Sequence, residues 1–241
     1  GPVFSILVDQ DERILLGGDF TRVGGVNYGY VSRLHPDGYV DSSFNIGTGI
    51  DDIVWSLGVQ PDRKPIPGGR YTFVDGNEVL SVSRLNADGV YDTTFAIDEG
   101  VEGEVFAVAV QSDGGIVIGG DFRKVAGEAA KNIARLNPDG TIDTTFAVGT
   151  GADKPIRDIA IQPDGKLVVV GEFGIVSGGS FGKVGRLNSD GTVDAEFSPG
   201  MGANGIVHAV GVQQDGGIII AGEFTTVDNK DYPYAARLQP S

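Results

Sequence analysis

The chain has 241 residues, a formal net charge of −15 and a pI near 4.4. That balance opposes binding to a nucleic-acid backbone or an anionic membrane surface and suits cations, basic partners or plain solubility. Cysteine is absent, which removes disulfides, thiol chemistry and thiolate metal sites, and no apolar run approaches the length of a membrane-spanning helix.

From Val3 the segment VFSILVDQ is apolar and rich in β-formers, and reads as a first strand. A polar turn, QDER, leads to RILLGGDF, a near-continuous apolar run of the kind that forms a strand buried on both faces. After a looser stretch come a third strand, YVSRL, a second turn, HPDG, and a short fourth strand, YVDSSF. The same order then returns from Val54, Val105, Ile156 and Val207, with the turn Asp at Asp11, Asp62, Asp113, Asp164 and Asp215 and each step 51 residues long. The units are 3–53, 54–104, 105–155, 156–206 and a partial 207–241, and no helical periodicity appears in any of them.

A period of this length marks a stack of supersecondary units that cannot bury their apolar faces alone. Four strands per unit predict an all-β fold, a five-bladed β-propeller forming one domain over 1–241, with the last blade incomplete. Five full periods would need 255 residues, and the missing 14 begin where the fourth strand of unit five belongs. An open β-repeat stack, or part of a larger ring, is the alternative architecture.

The pattern V-x-x-[IV]-x-[IV]-Q-P-D-G-K-[IL]-[LV]-[IV]-x-G-[DE]-F followed by [AS]-R-L-N-x-D-G-x-x-D-x-x-F resembles the delta-60 repeat family of bacterial proteins, best seen at Ile159–Phe173 and Val184–Phe197. The resemblance covers essentially the whole chain and implies a surface or secreted repeat protein without a common chemistry. Unit two departs from it, with Pro65 and Pro67 at apolar strand positions and Arg70 in place of an acid. The opening Gly1-Pro2 has the look of a tag remnant, so an extracellular or cell-surface location rests on the resemblance and not on a visible signal.

The column Asp19, Arg70, Asp121, Glu172 and Glu223 recurs after each second strand. Its expected partners are the third-strand arginines Arg33, Arg135, Arg186 and Arg237, as a structural ring of ion pairs. In unit two, Arg70 would then face Arg84 and need another acid such as Asp75 or Glu78. The competing reading makes the acids a glycosidase-like channel, disfavoured because copies of an acid required by the fold make poor candidates for one specialised acid.

Asn137, Asp139 and Asp143 in N-x-D-G-x-x-D resemble half of a calcium loop, but the leading acids are missing and an Asx-type turn explains them. No other cofactor is implied. The most variable positions lie on loops between strands two and three and between units, with Tyr28, Tyr30, Asn77 and Tyr232 among them; Trp55 belongs to the varied column Phe4, Trp55, Phe106, Arg157 and His208. Trp55, Arg70, Tyr28, Tyr30, Asn77 and Tyr232 are the candidate binding residues. Together these readings predict a monomeric, non-enzymatic scaffold recognising a glycan or protein through its variable face, with a carbohydrate-active hydrolase or a structural spacer as alternatives.

Overall fold

The computed structural model describes residues 1–239. In every unit the first two strands form an antiparallel hairpin: Val3–Val8 with Ile14–Gly18, Val54–Val59 with Pro65–Gly69, Val101–Val110 with Ile116–Val125, Ile156–Ile161 with Leu167–Gly171, and Val207–Val212 with Ile218–Gly222. The third strand lies on the far side of the second, as Val31–Leu34, Ile133–Leu136, Val184–Leu187 and Ala235–Leu238. Four of the five expected third strands are therefore present as regular strands.

Unit two is the exception, and its prolines explain it. Pro65 and Pro67 still accept from the amides of Leu85 and Ser83, but proline has no N–H to return, so only the Gly68–Val82 bridge survives. Tyr71, where the other units carry Phe, compensates: its buried hydroxyl donates to the Pro67 carbonyl at 2.7 Å and lies 2.8 Å from Ser83 Oγ. Tyr71→Phe is expected to cost about 1 kcal/mol of stability, one net hydrogen bond, and the equivalent loss should vanish in a Pro67→Val background, where the ladder can re-form; urea unfolding of the four proteins measures it.

The fourth segment is shorter than a strand. A single bridge holds it in each of units one to four, at Leu34–Val40, Leu85–Tyr91, Leu136–Ile142 and Leu187–Val193. The chain then turns, with the amides of Phe44, Phe95, Phe146 and Phe197 donating to the carbonyls of Asp41, Asp92, Asp143 and Asp194. Between strands two and three the expected loop contains a further two-residue hairpin, for example Phe73–Val74 with Asn77–Glu78, turning through Asp75 and Gly76 in the left-handed region.

The sheets stack in chain order, the first strand of each unit packing on the first two strands of the unit before it. Small residues make this approach possible: a Cβ on Gly58 would come within 2.8 Å of the Val108 and Val110 methyls, and one on Gly119 within 2.6 Å of Ile156. The core runs through these junctions, with Val54, Val105, Ile156 and Val207 fully buried. Among the described residues no comparable interface joins unit five back to unit one. The blades are those of a β-propeller, arranged as an open arc.

Candidate functional site

Each first strand carries a β-bulge at the same place. The register shifts between Val3 and Ser5, Val54 and Ser56, Val105 and Ala107, Ile156 and Asp158, and Val207 and Ala209. The extra residue is the varied column, Phe4, Trp55, Phe106, Arg157 and His208. A bulge re-aims the side chain it carries, and here it brings the first four of them into contact along one edge of the stack. Phe4 and Trp55 lie 4.7 Å apart between ring centroids, Trp55 and Phe106 6.2 Å apart edge to face, and the Arg157 guanidinium sits 4.5 Å over the Phe106 ring. Periodicity alone could have located the column, but only the register shift shows that its side chains leave the strand pattern together.

The carboxylate column lies beside this ladder and does not pair with the third-strand arginines. Glu172 is bonded to Arg157, Glu223 lies 2.9 Å from His208, and Arg70 makes a two-pronged contact with Asp52 at 3.0 and 3.2 Å. The expected ring of Asp19, Asp121, Glu172 and Glu223 with Arg33, Arg135, Arg186 and Arg237 is thus corrected. Arg33 is paired across from Leu15, and Asp19 lies four residues further along the chain, just past the end of that strand, a separation of roughly 13 Å at 3.3 Å per residue. Nor does Arg70 call on Asp75 or Glu78: Asp75 accepts instead from the Thr48 amide, tying the unit-two hairpin to the preceding loop.

The arginines have other partners, eight residues on. Arg33–Asp41, Arg84–Asp92, Arg135–Asp143 and Arg186–Asp194 pair at 2.8, 2.8, 2.5 and 2.6 Å. Each guanidinium also lies 4.7 to 4.9 Å over the ring three residues beyond its acid, Phe44, Phe95, Phe146 or Phe197. Arg33, Arg84 and Arg135 in addition donate to the carbonyls of Ala87, Pro138 and Ser189 in the next unit, so the cluster fastens neighbouring blades. Burial opposes ionisation of Asp41, but hydrogen bonds from Ser43 and the Arg33 charge outweigh it and hold the group at about 2. Arg237 differs: it is exposed and bonds Gln213 and Asp215.

A second inter-blade contact was not foreseen. Ser5 and Ser56 accept, through Oγ, the amides of Leu57 and Val108 one unit on, and in unit four Asp158 does the same for Val210 at 2.8 Å. Burial raises the Asp158 pKa, partly offset by the Val210 and Ile159 amides. A carboxyl whose folded pKa lies above its unfolded value, 3.8, subtracts nothing below that pH and destabilises increasingly as pH rises through the folded pKa. Asp158→Ser, which imports the unit-two arrangement, should therefore raise the melting temperature at pH 7 and lose that advantage near pH 3.5. A gain of equal size at both pH values would rule out the buried charge as its cause.

Of the six predicted binding residues the structure groups three. Trp55 donates from Nε1 to Glu104 at 3.2 Å; Arg70 feels Asp52, Glu104 and Asp19; and the Tyr30 hydroxyl is raised by burial, then by Asp52, Asp19 and Asp51. Tyr30 also starts a column in the left-handed region, with Ser81, Asn132, Lys183 and Tyr234 at φ from 64° to 74°. Tyr28 is buried, which removes it from a ligand surface, and Asn77 caps the Val74 and Asp75 carbonyls. Tyr232 is exposed in the unit-five hairpin region, away from Trp55 in unit two.

The three side chains of the N-x-D-G-x-x-D segment bond within the turn and to the third-strand arginine. Asp139 accepts from the Thr141 amide and hydroxyl, Asn137 donates to the same hydroxyl, and Asp143 lies between Arg135 and Thr145. Among the described residues no group of three His, Asp or Glu side chains converges as a metal site. These are turn and ion-pair contacts.

Comparison with known proteins agrees with the geometry. The fold is similar to that of PorZ, an essential bacterial surface component of the type-IX secretion system of Porphyromonas gingivalis, at TM-score 0.54 and 13% identity over 91% of this chain and 31% of that one. It is similar also to virginiamycin B lyase from Staphylococcus aureus, at 0.55 and 11% over 98% and 69%, and to the extracellular domain of BT3049 from B. thetaiotaomicron, at 0.51 and 14% over 91% and 26%. At such identities the likeness concerns the fold, and the chain spans about a third or less of PorZ and BT3049. A search of curated proteins returns no match. The family model described as a domain of unknown function (DUF5122) beta-propeller matches residues 10–44, 60–95, 111–146, 162–197 and 213–241, one segment in each unit, and the chain belongs to that family.

Proposed function

We propose that this chain is a non-enzymatic binding module of a bacterial surface or secreted protein, and that it recognises a glycan along the aromatic ladder of units one to three. The observation that carries the reading is the bulge: a fold-wide backbone device delivers Phe4, Trp55 and Phe106 to one surface, beside carboxylates of Glu104 and Asp52. Sugar rings stack their C–H faces on aromatic rings while neighbouring carboxylates accept from their hydroxyls. Units four and five interrupt the ladder, since Arg157 covers Phe106 and is tied to Glu172, and His208 is tied to Glu223. The same ties take Glu172 and Glu223 out of a hydrolytic channel, which disfavours the hydrolase. Secretion or surface display fits the likeness in fold to PorZ, a bacterial surface component, and to the extracellular domain of BT3049. A glycan array probed with the wild type and with Trp55→Ala tests the proposal: bound glycans should be lost in the variant, and an identical profile for the two proteins would sink it.

A further inference from the structure

In units one to four one side-chain column sits between the two-residue hairpin and the third strand: Tyr28, Val79, Ala130 and Phe181. In unit four the Phe181 ring lies against Gly179 and Gly185, close enough that a Cβ on either would meet it, and Val193 flanks the same spot. In unit one Tyr28 is buried with Val26 and Ser32 at the two glycine positions, so a ring there does not need glycine beneath it. Unit three has no ring to place, because Ala130 stops at its methyl group.

The space left in unit three is a cavity of about 400 Å³, a size that small-molecule sites commonly have. Glu128, Ala134 and Ile142 line it, and they are the counterparts of Gly179, Gly185 and Val193 around Phe181. Phe146 and Val148 complete an apolar floor, and Arg123 and Lys131 stand at the rim. The Ala130 amide donates to the Arg123 carbonyl and the Ala152 amide to the Lys131 carbonyl, so the backbone holds both cations beside the cavity. Both side chains are exposed, and neither makes an ion pair or side-chain hydrogen bond among the described residues. Arg135 and Asp143 also face the cavity but pair with each other, which leaves Glu128 against two cations. The corresponding cavity of unit two is lined by Glu78 and Glu99 and by no cation.

We infer that the unit-three cavity binds an aromatic ring bearing a carboxylate, the ring taking the place that Tyr28 and Phe181 hold in their own units and the carboxylate meeting Arg123 and Lys131. The filled copies argue for the ring. The two unpaired cations argue for the charge, since an anion at the rim is their complement. A small aryl acid and a polypeptide ending in phenylalanine both carry that chemistry. The site shares no residue with the ladder of Phe4, Trp55 and Phe106, so it stands whether or not a glycan binds there.

Titration calorimetry with 3-phenylpropionate, and with a tripeptide ending in phenylalanine with its carboxylate free, tests the site. Saturable binding of at least one is expected, and the tighter of the two identifies the source. The neutral analogue 3-phenylpropanol should bind about fivefold more weakly than the acid, the scale of two exposed ion pairs. Ala130→Tyr, which imports the unit-one arrangement, should weaken binding about tenfold or more, the loss of one buried ring. Arg123→Gln combined with Lys131→Gln changes only exposed side chains and should bring the acid down to the affinity of the alcohol; this variant decides the matter if Ala130→Tyr does not fold. Failure of both probes to saturate at millimolar concentration overturns the proposal. So does an alcohol that binds as tightly as the acid, a double variant with full affinity for the acid, or a folded Ala130→Tyr protein with wild-type affinity.

Discussion

Asp92→Ala is expected to lower stability by about 3–5 kcal/mol, the cost of stranding a buried arginine. Asp92 and Arg84 are both almost wholly buried, and the acid accepts from Arg84, Lys64 and the Thr94 hydroxyl. Removing it leaves the Arg84 guanidinium over the Phe95 ring with its contacts to Gln60 and Pro138 but no counter-charge. In a chain of this size that corresponds to a fall in melting temperature of roughly 10 °C. Arg237→Ala, the same column in an exposed setting, should cost less than about 1 kcal/mol. Equal effects from the two substitutions would show that the column stabilises by something other than burial.

The same clusters set the response to acid. Asp41, Asp92, Asp143 and Asp194 all have folded pKa values below the unfolded 3.8, so their contribution is complete above that value and is lost as pH falls through the folded pKa, about 2 for Asp41. Thermal melts should therefore be flat from this source above pH 5 and decline steeply between pH 4 and 2. Asp158 acts with the opposite sign and at higher pH, between 3.8 and its raised folded pKa.

Trp55→Ala is expected to weaken the proposed glycan binding about tenfold or more, the scale of a central aromatic anchor. Trp55 is the middle ring of the ladder, touches both Phe4 and Phe106, and is held in orientation by Glu104. Phe4→Ala at the ladder's end should lose less. Arg157→Ala should leave affinity near the wild-type value or improve it by freeing the Phe106 face. Titration calorimetry on any glycan found on the array ranks the three, and a ranking with Arg157→Ala the most damaging would move the site to units four and five. Each variant's stability needs measuring alongside, since Phe106 and Arg157 also contact across a blade junction.

How legible the protein was depended on whether a feature repeats. The first strands, the turns and the blade count could be read because one pattern recurs five times, and the recurring Asp of most turns does accept from the amide two residues on, as at Asp139 and Asp190, while in the first turn of unit one Asp9 takes that role in place of Asp11. The Arg–Asp partnership was in principle readable from the spacing within R-L-x-x-D-G-x-x-D, but the more conspicuous acid column at Asp19 drew the assignment away. What separates the two columns is position along a strand, and that becomes a distance only when the register is known. Tyr71 shows the converse: a departure from Phe in one unit reads as neutral drift until Pro67, four residues earlier, is found needing its hydroxyl.

The amino-acid sequence by itself determined the blade, because hydrophobic period, turn chemistry and repeat length are local properties carried on every copy. The tertiary structure alone decided the rest. It placed a bulge under the varied column and so made a ladder of Phe4, Trp55 and Phe106, and it coupled Arg84 to Asp92 and to the next blade. These outcomes depend on how one unit is rotated onto the next, a quantity that small residues at the junction permit but that no single repeat encodes.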